Sequence, residues 1–503
     1  MRNRTLLILL LLFSITNSTF AIIDYNENCK NIFEYTFALD YEKVDLLLAK
    51  EAKINPNNVV VDYIRTYSYF LQYATIGSSN SLKEFKKYRS ISVDKIMAEN
   101  NDNPYKYYFL ADIYLIESIS EAIQRNYLSS IYLFKKAYNT NIDNIKYFPD
   151  FMPNYKSRGA ISVTIGSIPK AYNWGLSILG LYGDINQGFN DITKSLLSSQ
   201  NNENENHLFV ENILIYTFLS DNFSIREDKN KLLKEIFNNE EYNEKYSNNL
   251  IYLFSKASFY QHHKHNKEVI EALDIVKTKN KDVSNRFCYL NYIYGQSLLY
   301  KKDLEAEIYF NKYINIYPGN NYKAASHQKL AWSRLINADL NSYQSEIDII
   351  KMLDDGFYDS DKQAEIEANS GVVPNIYLLR SRLLFDGGYY KKAEKVIEEG
   401  KELNNYKSER NNIEYFYRLG RIYDESNKPI KAEKYYKLTI SMSKDMKYYY
   451  AAKSALQLGY YYEKTGRTED AQQMYELILE LDFNEYENGI TQKAKAGLTR
   501  LDK

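Results

Sequence analysis

Apolar positions along the C-terminal half recur with the period of amphipathic helices, and each run carries one small residue near its middle. These are Ala257, Gly295, Ala331, Ser381, Gly420, Gly459 and Gly497, at spacings of 38, 36, 50, 39, 39 and 38. Twelve positions after Ser381, Gly420 and Gly459 come Ala393, Ala432 and Ala471, and four further on Ile397, Tyr436 and Tyr475. Two antiparallel helices approach closely where a small side chain on one faces the other, and a bulky residue one turn later fills the next gap. A repeat of this kind predicts an all-α, right-handed solenoid of stacked antiparallel helix pairs, none able to bury its apolar face alone.

The N-terminal half is less regular. Helical patterns run over about 28–53, 57–75, 79–100, 104–125 and 127–139, and the polar stretch 140–157 reads as a connection. Pro104, Pro374 and Pro429 suit first helical turns. Arg158–Gly183 is the most apolar part of the chain after its N-terminus, divided by Pro169-Lys170. It reads either as a segment lying in a membrane interface or as a helix pair buried between two halves. Pro169, Lys170 and Asn173 interrupt it and neither half is long enough to span, so burial is the expectation. The asparagine-rich run 199–206 is expected to separate an irregular domain, 22–199, from regular repeats over 207–503.

Arg2 and Arg4 precede the apolar run Leu6–Phe13, and Thr19-Phe20-Ala21 supplies small residues at a cleavage site. This is the layout of a signal peptide over residues 1–21, so the protein is expected to be exported, periplasmic or extracellular. With 64 basic and 65 acidic residues the chain lacks the charge excess that nucleic-acid binding requires. Cys29 and Cys288 lie on distant helical segments and a chain of this size needs no staple, so both are expected to stay free.

Ser167-Ile168-Pro169 followed by Leu179-Gly180-Leu181-Tyr182-Gly183-Asp184 and Gly188-Phe189 resembles the fungal inclusion-body-clearance proteins and the animal tetratricopeptide-repeat-39 proteins. A second block, Pro374-Asn375, Leu378-Leu379 and Arg382-Leu383-Leu384-Phe385-Asp386-Gly387-Gly388-Tyr389-Tyr390 with Ala393, is similar to bacterial members of that broad group. The resemblance implies a tetratricopeptide-like scaffold with no catalytic residues to carry over. The export signal is a departure from it. Read physically, Gly180, Gly183 and Gly188 permit positive φ at tight helix ends, and Asp184 can cap a helix beginning near Ile185. A phosphate loop would need a preceding strand and a Gly-Lys-Ser/Thr ending, which are lacking.

Candidate chemistry is sparse. His262 and His265 share a helix end with His263, and an imidazole pair could hold a metal in a metal-dependent enzyme. No supporting acidic or cysteine ligand follows, so a solvated turn is expected and no cofactor is assigned. Asp354, Asp355, Asp359 and Asp361 crowd the insertion without the ordered ligand series of a Ca²⁺ loop, so they are expected to cap helices. No catalytic triad or nucleophile elbow appears, and the chain is not expected to be an enzyme.

The groove of the repeats remains. With the small residue at position eight, positions two, five, nine, twelve and thirteen of first helices face it. They place Tyr289, Tyr292, Gln296, Arg382, Phe385, Tyr417, Arg421, Asp424, Tyr460 and Glu463 there. Aromatic rings interleaved with arginine suit protein or peptide recognition. The expected function is a non-catalytic exported scaffold binding a protein or peptide through this groove. The alternative is an envelope adaptor docking on the membrane through 158–181.

Overall fold

The computed structural model describes residues 22–168, 173–223, 229–278, 285–354, 356 and 358–501. The proposed signal at 1–21, Pro169-Lys170 and Asp355 lie outside them. The described residues form an all-α protein, with one isolated extended pairing between Ile22 and Asn58. They divide into two compact units. One runs to Phe259 and adds Lys277–Cys288; the other comprises Tyr260–Val276 and the chain from Tyr289.

In the first unit the pattern over 28–53 becomes two helices, Glu27–Phe37 and Tyr41–Ile54, because Leu39 turns left-handed (φ 58°) between them. Val60–Ile76 packs on Ser79–Met97, and Pro104–Ile123 on Tyr127–Tyr147. Asn103 accepts from the Tyr105 amide at 2.9 Å and Pro104 occupies the first helical turn, so this start is doubly specified. The stretch expected to connect at 140–157 is helical to Tyr147 instead. Its asparagines turn inward: Asn141 Nδ2 donates to the Asn154 carbonyl at 3.0 Å and Asn144 Nδ2 to that of Pro104 at 2.9 Å.

The apolar stretch 158–183 is buried only in part. Asn154–Gly166 packs along Ile185–Asn201 with almost no gap, since a methyl group on Gly188 would stand 2.6 Å from Val163 Cγ2. The six-residue helix Asn173–Ile178 is a correction to the expected buried pair. Trp174 is 70% exposed, Ile178 74% and Tyr182 just beyond it 66%. A helix this short offers too little length for extended ridge-and-groove packing. Of the three turn glycines only Gly180 has positive φ; Gly183 and Gly188 are needed for close approach. Asp184 caps as expected, accepting from the Gln187 amide at 2.8 Å.

At the centre of this unit lies an ionic cluster. Lys156, 2% exposed, donates to Asp112 Oδ2 and Glu211 Oε1, both at 2.7 Å, and to the Tyr108 hydroxyl at 2.8 Å. Tyr63 and Tyr67 donate to the same carboxylates. Burial disfavours the ammonium, but Asp112 and Glu211 outweigh it and hold the pKa above the ordinary lysine value. Glu211 belongs to Phe209–Phe223, whose Asn212 also donates to the Ser195 carbonyl at 3.2 Å. These bonds tie the chain after 207 to the helices before it. The compact units therefore divide near 260–288, whereas the polar run had suggested 199–207.

In the second unit the helices pair as Tyr289–Tyr300 with Ala306–Ile316, Lys323–Ile336 with Leu340–Ile350, and Ile376–Asp386 with Tyr390–Glu402. Glu409–Glu425 then pairs with Pro429–Ser443 and Tyr450–Lys464 with Thr468–Glu480. All seven spaced small residues, including Ala257 of the first unit, are buried. A methyl group on Gly420 would stand 2.6 Å from Tyr436 Cδ1, and one on Gly497 2.5 Å from Tyr475 Cε2. Ser381 Oγ donates to the Ala393 carbonyl at 3.0 Å, a polar version of the same contact.

The insertion forms Asp359–Ser370, where Asp361 is fully buried and caps a different helix. Its carboxylate accepts from the amides of Tyr322 at 2.7 Å and Ala325 at 3.0 Å. Cys29 and Cys288 are buried free thiols.

Candidate functional site

The second unit contains a cleft of cavity volume ≈ 160 Å³, lined by residues of Ile376–Asp386 and Glu409–Glu425 together with Tyr449. Each supporting helix starts from a capped end. Asn375 accepts from the Tyr377 amide at 3.0 Å, and Ser408 from that of Asn411 at 3.2 Å. The helices then present Arg382, Phe385 and Asp386 from one side and Tyr417, Arg418 and Arg421 from the other.

Three guanidinium groups thus converge on a small space. Arg382 has Asp386 at 3.8 Å and lies 4.8 Å above the Trp332 ring, over which Lys329 also stands, at 3.9 Å. Burial, then the charge of Arg382, pulls the Lys329 ammonium down to a pKa of about 7. Trp332 Nε1 donates to Glu367 at 2.8 Å, which fixes the ring. Arg418 is held by Glu414 one turn earlier, whose other oxygen accepts from Tyr450 at 2.9 Å. Arg421 donates to the Tyr417 hydroxyl at 3.1 Å and stacks 5.0 Å above Phe385.

Four of the ten residues placed in the groove by the sequence line this cleft: Arg382, Phe385, Tyr417 and Arg421. The others lie elsewhere in the unit. Tyr289 and Tyr292 stack 5.5 Å apart within a packed aromatic group that includes Tyr313 and Tyr322. Gln296 donates to Tyr300 at 2.7 Å. Asp424 accepts from Tyr436 at 3.0 Å, and Glu463 holds Arg500 through both oxygens at 2.7 Å. Tyr460 is exposed beside Tyr475. Sequence reasoning missed Arg418, because the repeat frame puts it at position six, and Tyr449, which precedes the helix Tyr450–Lys464. The Glu414–Arg418 spacing of four was the available signal for the first.

His262 and His263 meet edge to face at 5.4 Å and His265 faces Glu268 at 3.8 Å, but among the described residues no three His, Cys, Asp or Glu side chains come together as a metal site.

The family model described as tetratricopeptide repeat matches residues 413–446 and 452–485, and the first of these matches contains Tyr417, Arg418 and Arg421. The chain contains tetratricopeptide repeats. The two matches begin 39 residues apart, the spacing of Gly420 and Gly459. No curated protein sequence matches the chain. Such repeats generally mediate protein–protein interaction, which makes binding rather than catalysis the property to seek in this cleft.

Proposed function

We propose that this protein is an exported, non-catalytic scaffold that binds a protein or peptide segment in the cleft lined by Arg382, Phe385, Tyr417, Arg421 and Tyr449. The observation that supports the reading is a cationic, aromatic cleft to which the first helix of a matched repeat contributes Tyr417, Arg418 and Arg421, and the unmatched helix before it Arg382 and Phe385. Arginine and tyrosine give large contact area and directed hydrogen bonds for little ordering cost. Export rests on the N-terminal arrangement of Arg2, Arg4 and Leu6–Phe13, and the periplasm is the proposed compartment. The test is photo-crosslinking in cells from position 417 or 421. Capture of one defined partner there supports the reading; capture only from the outer helices, such as position 437, overturns it.

A second reading has its own observation. Trp174, Ile178 and Tyr182, four residues apart, expose an apolar face with the aromatic types that favour membrane interfaces. No described helix is long and apolar enough to cross a membrane, so this would be surface docking. Flotation of the protein with liposomes, lost on Trp174→Ser with Ile178→Ser, would support it.

A further inference from the structure

Two long helices of the first unit treat solvent in opposite ways. Ser79–Met97 exposes charged side chains, Lys83, Lys86, Lys87, Asp94 and Lys95, and its sole exposed large apolar residue is the terminal Met97. Tyr127–Tyr147 does the reverse. It buries Ala137, Asn141 and Asn144, and it exposes Leu128 (87%), Ile131, Tyr132 (67%), Ile142 and Tyr147. Leu128 and Lys146 each stand nine positions from Ala137, two and a half turns, and so lie opposite the packed side. Three lysines, Lys135, Lys136 and Lys146, accompany the apolar residues, against one acid, Asp143. An outward face of this kind is costly in water unless something covers it.

Resting on the surface-docking reading above and carrying it to a different helix, we infer that the outward face of Tyr127–Tyr147 lies on an anionic lipid surface. Its apolar side chains enter the headgroup layer and its lysines meet lipid phosphates. Lysine stems are long enough to keep the ammonium among the headgroups while leucine and isoleucine sit deeper. Tyr127, Tyr132 and Tyr147 belong to a type enriched at that boundary. The face runs along a 21-residue helix, about 30 Å, so it is a line rather than a pocket and suits a plane. Leu128 projects almost free of its neighbours. A protein partner would need a matching socket for it, whereas a fluid interface conforms. A second copy on this face would gather six lysines against two acids. A nucleic acid would answer the lysines and leave Leu128 and Ile142 uncovered. The helix is already folded against Pro104–Ile123, so docking carries no ordering cost for its backbone.

The experiment is flotation of the full chain with vesicles of phosphatidylcholine, alone or mixed with phosphatidylglycerol, alongside sedimentation velocity without lipid. Expected is recovery with the phosphatidylglycerol vesicles that falls as salt is raised. Leu128→Ser with Tyr132→Ser should weaken partitioning at least about tenfold. Lys135→Gln with Lys146→Gln should weaken it about twentyfold, near fivefold for each lysine. None of these four side chains is buried, so the melting curves should match that of the parent. Residues 1–21 are common to parent and variants, so a difference between them reports on the helix. Flotation that ignores both double variants but is lost on Trp174→Ser with Ile178→Ser would overturn this inference and leave the surface-docking reading standing. Equal recovery on the two vesicle types would do the same. Absence of flotation by the parent would overturn both. A dimer that dissociates on Leu128→Ser with Tyr132→Ser, in a protein that does not float, would assign the face to a second copy and overturn the lipid as its occupant.

Discussion

The ring of Tyr436 lies on the bare backbone of Gly420, where a methyl group would come within 2.6 Å of Cδ1. The same relation recurs one repeat later with Tyr475, which is flanked by Gly459 and Gly497. The tyrosine hydroxyls then reach polar partners at the edge, Tyr436 at Asp424 (3.0 Å) and Tyr475 at Glu463 (2.7 Å). One side chain thus fills the gap between paired helices and ties the rim.

Gly420→Ala should therefore overpack this contact. The expected cost is about 1–3 kcal/mol, read as a lower midpoint in urea unfolding followed by circular dichroism. The double variant Gly420→Ala with Tyr436→Leu should recover part of the loss, because the smaller side chain makes room. Equal stability of Gly420→Ala and the parent would contradict the contact.

Asp361→Ala strips a fully buried cap from the amides of Tyr322 and Ala325. Two charge-assisted bonds vanish, leaving the buried Ala325 N–H and the part-buried Tyr322 N–H unpaired, for an expected loss of about 3 kcal/mol. Hydrogen exchange should speed up at 322–326 before it does elsewhere in the helix Lys323–Ile336.

Lys156→Met leaves Asp112 and Glu211 facing each other without the ammonium between them. Breaking a buried pair from one side costs about 3–5 kcal/mol. Adding Asp112→Asn and Glu211→Gln to Lys156→Met should return much of that, since no unpaired charge then remains. Measured melting temperatures of the single and triple variants check this.

His207 is buried among Tyr25 and Phe33, and burial, then Lys30 and Lys156, lowers its pKa to about 3. The unfolded chain binds a proton at this residue near pH 6.5, whereas the folded one does not until about pH 3. Its contribution is therefore intact above pH 6.5 and lost progressively as the pH falls through that window. The full swing is about 5 kcal/mol by linkage. His207→Phe should flatten the slope of stability against pH between about 6 and 3; an unchanged slope would place the acid sensitivity elsewhere.

The repeats of the second unit were legible because their decisive contacts fall at fixed offsets along the chain, as Gly420, Ala432 and Tyr436 do. The first unit offered no such ruler. Tyr63, Asp112, Lys156 and Glu211 come from four helices with no common period, so nothing in their spacing announces that they meet. Capping by the acidic insertion could be foreseen from composition, but that Asp361 serves the start of Lys323–Ile336 depends on tertiary placement. For the cleft, the repeat frame found Arg382, Phe385, Tyr417 and Arg421. It could not tell a ring lining open space from one such as Tyr292, which is consumed in packing.

The Lys156 cluster also constrains how the molecule can be dissected. Cleaving at the asparagine-rich run would send Glu211 away with the downstream fragment and strand the lysine with Asp112 alone. The downstream piece would carry Glu211 without the ammonium that offsets it, so the stretch that looks most like a natural seam is a poor place to cut.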